Sequence, residues 1–135
     1  MSKLRLIAAG YMVALLIAAS LNYVPGLTDA EGRAFGIFAL DIYDDSLHVA
    51  SALWAGIAAY LSAKASRIFL FYFGILYFLD GLLGLATGSG FLDLGIVNYG
   101  ILDLDFTFKI MANLPHLLLG GFAFLSSRIF ASEIR

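Results

Sequence analysis

Apolar residues in this chain fall into four long runs, at about 4–24, 46–63, 67–88 and 109–130, separated by polar, turn-forming stretches. Each run is near the ~20 residues that a helix needs to cross about 30 Å of hydrocarbon. None alternates polar and apolar at every second position, as a barrel strand would. Lipid admits only helices and closed barrels, because every backbone N–H and C=O must be satisfied internally. The pattern predicts an all-α chain, a four-helix transmembrane bundle forming one integral membrane domain over residues 1–135. Pro25-Gly26 stops the first run, and two connections of near 20 residues follow the first and third. Residues 34–43 (AFGIFALDIY) are apolar and aromatic but too short to cross, so they lie at the interface or extend the second helix. Residues 91–108 mix Leu, Ile and aromatics with Asp and Gly. Both connections are expected to be ordered loops packed over one end of the bundle.

Composition sharpens this picture. The hydrophobic set makes up 61% of the residues, against about 45–50% in soluble domains even with Gly included. Ten acidic and eight basic residues are too few to cover a small globule in water. A soluble domain, a disordered chain and a nucleic-acid binder with a basic face are thereby excluded. Charge placement then orients the helices. Lys3, Arg5, Lys64, Arg67, Arg128 and Arg135 flank one end, while Arg33 and Lys109 fall in the other connections. The positive-inside rule puts both termini in the cytoplasm and makes the long connections extracytoplasmic. Residues 1–5 look like the start of a signal peptide, but the apolar run over 6–24 exceeds a 7–15-residue signal core, so a retained first span is expected.

The chain has no Cys, which removes disulfides, thiolate metal sites and Cys nucleophiles. No P-loop, nucleophile elbow or HExxH helix occurs, and Gly88-Ser89-Gly90 reads as a turn after an apolar helix. An internal repeat is visible: Ser66-Arg67-Ile68-Phe69 recurs as Ser127-Arg128-Ile129-Phe130, each copy after a span bearing one His.

Asp45-Ser46-Leu47-His48, the Gly-rich third span over 77–84, Asn98, and the stretch Asn113-Leu114-Pro115-His116-Leu117-Leu118-Leu119-Gly120 carry a likeness. Together they resemble an uncharacterised family of four-span bacterial membrane proteins, a domain of unknown function with His-bearing second and fourth helices. The resemblance covers about residues 41–128 and implies a small bundle in a bacterial cytoplasmic membrane. It implies no activity. Asn113 and Pro115 stand where the family pattern has an acid and a Leu.

Polar groups inside apolar runs are the candidates for chemistry. Asp80 lies mid-span, His48 and His116 lie near the loop ends of their helices, Asn113 shares a face with His116, and Asn22 closes the first span. An ionisable residue in lipid costs several kcal/mol unless paired, so one buried polar cluster of Asp80, His48, His116, Asn113 and Asn22 is expected.

Three functions follow. The first is a non-catalytic scaffold or accessory subunit held by this cluster as interhelical glue. The second is a protein binding haem b between His48 and His116, with small residues Ala52, Gly56, Gly120 and Gly121 edging a cleft, or a metal through these His with Asp80 and Asp44 or Asp45. The third is a proton-linked small-solute transporter. Expected partners are the bilayer and, through small-residue helix faces such as Gly84–Gly88, Ala52–Gly56 and Ala14–Ala18, a membrane protein or a second copy. Pro115 has two readings: it kinks a long fourth helix and frees the Met111 carbonyl, or it sits in the first turn of a helix capped by Asn113 with Lys109 outside the membrane, which is narrowly favoured.

Overall fold

The computed structural model describes residues 1–134; Arg135 lies outside the described residues. The described residues form five α-helices and two short 3-10 turns, with no strand among them. Helix α1 spans Lys3–Ser20, α2 Ile42–Leu61, α3 Ala63–Thr87, α4 Gly95–Tyr99 and α5 Phe106–Ile129. Their boundaries follow from local chemistry. Ser2 caps α1 by accepting the Arg5 N–H, and Asp41 and Asp44 form a capping box that starts α2. Ser62 ends α2 and accepts the Ala65 N–H, so α2 and α3 meet at one residue. Gly88 ends α3 with φ +82°, where a side chain would be strained.

Three helical stretches are long and apolar enough to cross a membrane: Lys3–Tyr23, Ala63–Thr87 and Phe106–Ile129. Little of their apolar windows is buried, 28%, 44% and 11% respectively, so most of that surface faces outward. Helix α2 is 20 residues long but carries Asp44, Asp45 and His48 in its first two turns, which dilutes its apolar character.

Helices α1, α2, α3 and α5 run back and forth. The termini and the α2–α3 joint lie at one end, and both long connections lie at the other. The α3–α5 and α1–α2 pairs pack most extensively. Glycine decides the first. A Cβ on Gly74 would sit 2.5 Å from the Phe124 nitrogen and 2.8 Å from the Gly120 carbonyl oxygen, and Gly120 in turn faces the backbone of Phe78. The crossing is therefore backbone on backbone, a contact that only small residues permit. Helices α1 and α5 barely touch; the Tyr11 hydroxyl reaches across to the Leu119 carbonyl at 2.5 Å. Beside it opens an apolar groove of about 420 Å³, lined by Ile7, Gly10, Ala14, Leu118 and Phe122.

The core near the termini is aromatic. Phe69, Phe73 and Tyr77 lie four residues apart on α3 and stack inward, with centroids 5.0 Å and 3.9 Å apart. Tyr11 meets Phe73 edge-on at 5.2 Å, and Trp54 meets Phe69 at 5.0 Å. At that end arginines satisfy helix C-termini. Arg5 donates to the Ala59 and Tyr60 carbonyls, and Arg67 to the Ser127 carbonyl.

The structure decides between the two readings of Pro115, against the favoured one. Helix α5 begins at Phe106 behind Asp105, so Pro115 lies inside it and Asn113 is no cap; the Asn113 amide donates back to the Lys109 carbonyl at 2.8 Å. The expected cap assumed that Lys109 must lie outside the helix, yet a Lys in the first turn still sits near the end. The Ser-Arg-Ile-Phe copies are not equivalent either. Ser66 is in the first turn of α3, whereas Ser127 is in the last turn of α5, so the two sequences meet head to tail at the same end.

Candidate functional site

The polar candidates gather at the loop end, and α3 explains why. Its inward stripe is Ser66, Phe69, Phe73, Tyr77, Asp80 and Gly84, spaced three or four residues apart. Asp80 therefore points into the bundle, where it is 2% exposed. One oxygen, Oδ1, accepts the backbone N–H groups of Phe91 (2.7 Å) and Leu92 (2.9 Å). The other, Oδ2, accepts Nδ1–H of His116 at 2.5 Å. Asp80 thus joins three segments: α3, the loop that follows it, and α5. The loop comes this close because residue 90 is glycine; a Cβ there would lie 2.6 Å from the Asp80 carboxylate.

His116 stacks on Tyr77 (centroids 4.9 Å) and meets His48 edge-on at 6.3 Å. Tyr77 also shares a hydrogen bond with Ser51 of α2 at 3.1 Å. His48 is 6% exposed, and its Nδ1 has no hydrogen-bond partner. The structure therefore brings Asp80 and His116 into direct contact and His48 alongside, without a bond from His48 to Asp80.

The other two expected members lie elsewhere. Asn113 packs against Gly84 and bonds back along its own helix. Asn22 sits at the end of α1, where its amide donates to the Leu40 carbonyl (3.0 Å) and to Asp45 (3.3 Å). An Asn with a nearer backbone acceptor has no need of a distant carboxylate.

Sequence reasoning missed the loop backbone as a partner of Asp80. The backbone N–H groups of Phe91 and Leu92 are Asp80's main partners, and Gly90 was the available signal. A second polar centre forms in the first turn of α2, where Asp45 also accepts the Tyr23 hydroxyl at 2.7 Å. Asp44, ahead of the apolar part of α2, faces Asp93 of the loop. Burial, and then the Asp93 carboxyl beside it, push Asp44 up to about 9. At Asp41 burial opposes ionisation, but the Asp44 N–H and the Tyr99 hydroxyl outweigh it and hold that carboxyl low.

Among the described residues no three His, Asp or Glu side chains converge as a ready metal cage. The small residues expected to edge a cofactor cleft are occupied from within: Gly120 by the α3 backbone and Gly56 by the Met12 side chain. Compared with protein-family models, curated proteins and solved structures, the chain matches none.

Proposed function

We propose that the chain is a small integral membrane protein whose four long helices form a lipid-solvated bundle, a non-catalytic scaffold or accessory subunit of a membrane complex. The observation that carries this reading is the Asp80 carboxylate. All its donors are fixed parts of the chain itself: two loop N–H groups and the His116 ring. A group committed in this way fastens the loop and α5 to α3, and at 2% exposure it is closed to a passing solute. Interhelical polar contacts of this kind contribute about 0.6–2 kcal/mol each in membranes.

The outward apolar surface supports a bilayer as solvent, with α2, packed against α1 and α3, as the fourth crossing helix. The basic residues Lys3, Arg5, Lys64, Arg67 and Arg128 at the terminal end support a cytoplasmic position for that end, with the loops outside. A bundle of this kind in a bacterial inner membrane is also what the resemblance to the four-span family implies. The groove between α1 and α5 is the face left for lipid or a partner helix.

The test is Asp80→Asn in detergent-solubilised protein, together with gentle solubilisation from native membranes. The variant should melt earlier, and a stoichiometric partner should co-purify with the wild type. An unchanged melting temperature with a new pH-dependent growth defect would instead assign Asp80 to proton handling and refute the structural reading.

A further inference from the structure

Three buried acceptor atoms without partners lie around the first two turns of α2: Asn22 Oδ1, Asp45 Oδ1 and His48 Nδ1. Asp45 and His48 are each 6% exposed. Their spacing, an acid followed three residues later by His, puts both on one helical face, the arrangement that helical bundles use to hold metal ions. Side chains on a helix lean toward its N-terminus, so the His48 ring is directed back over the turn that holds Asp45. Asn22 is already against Asp45, with its Nδ2 3.3 Å from Asp45 Oδ2. The Tyr23 hydroxyl, at 2.7 Å from the same oxygen, holds the carboxylate in place and leaves Oδ1 free.

Charge makes the same point. Among the described residues the ion pairs are Arg33 with Asp29 and Glu31, and His116 with Asp80. No cationic side chain reaches Asp45. A buried carboxylate without a counter-charge is expensive, and two neutral hydrogen-bond donors on one oxygen offset it only in part. A water molecule could fill the space but brings no charge. A cation satisfies all three acceptors and supplies the missing charge.

We propose that Asp45, His48 and Asn22 form a binding site for a single borderline divalent metal ion of the zinc class, at the loop end where α1 hands over to α2. An imidazole nitrogen beside oxygen ligands selects this class over magnesium and calcium, which take oxygen alone. Three protein ligands leave a fourth position open to water. His116, edge-on to His48 and fixed by Asp80, lies behind the site as a support for the ring. The site is independent of the scaffold reading, since Asp80 is not a ligand.

The experiment uses the full chain, purified in detergent with any affinity tag removed and titrated with Co²⁺ and Zn²⁺ in separate runs. One equivalent should bind, Co²⁺ should develop visible ligand-field bands, and Zn²⁺ should raise the melting temperature while Mg²⁺ does not. Losing an outer-shell partner alone typically weakens a metal site 10–100-fold, so His48→Gln and Asp45→Asn, which remove ligands, should each weaken binding by about 100-fold or more. Asp103→Asn, on the exposed part of the loop, should leave it unchanged. Absence of Co²⁺ bands and of any Zn²⁺ shift in the wild type overturns the proposal, whatever the variants do. So does binding that survives both ligand substitutions, or Mg²⁺ acting as well as Zn²⁺.

Discussion

The two ends of this bundle are held by different means. Near the termini the interior is a cluster of edge-on and tilted rings, Phe69, Phe73 and Tyr11, with Ser66 and Ser127 bonding back to carbonyls. Near the loops the same α3 stripe continues with Tyr77, Asp80 and Gly84, and the contacts become charged and directional. Ring packing tolerates small rearrangements, because one apolar neighbour replaces another. The carboxylate end does not, because each lost donor leaves a buried charge without a partner. The loop end is therefore specified by a few bonds and the terminal end by shape.

Substitutions should separate these two modes. The largest effect is expected where both depend on one contact, the glycine crossing of α3 and α5. Gly120→Leu forces backbone apart and should cost more than about 3 kcal/mol, at the top of the range for overpacking, seen as loss of monodisperse protein in detergent. Asp80→Asn comes next. It pairs a neutral amide with donors arranged for a carboxylate, for an expected loss of about 2–3 kcal/mol in unfolding from detergent micelles. It should also raise hydrogen exchange at Phe91 and Leu92, which Gly120→Leu need not do selectively.

A pH series tests the loop end alone. Asp44 titrates well above its usual range in the folded chain, so between about 4 and about 9 the unfolded state loses a proton that the folded state keeps. Stability should therefore fall as pH rises through that window, and Asp44→Asn should flatten the slope. The smallest effect is expected at the boundary between the two regions. Tyr77→Phe removes the bond to Ser51 but keeps the stacking, for about 0.6 kcal/mol in the same unfolding assay.

Much of this was legible in the amino-acid order. The apolar runs dictated helices, because no other element closes its own hydrogen bonds in oil. Asp80, seven residues after Phe73 on a buried face, had to point inward. The caps at Ser2, Asp41 and Ser62 are equally local, although the apolar runs alone put the second and third starts at 46 and 67. Such features depend on residues within a turn or two, and local sequence contains them.

What tertiary structure alone decided is which partner each polar group found. Asp80 takes loop N–H groups that any sequence would supply, and it reaches them because Gly90 lets the chain fold back. Asn22 and Asn113 turn to nearer acceptors, and α5 continues through Pro115. These choices depend on distances between segments far apart in the chain. Periodicity fixes the direction in which a side chain points, and only packing fixes what stands opposite.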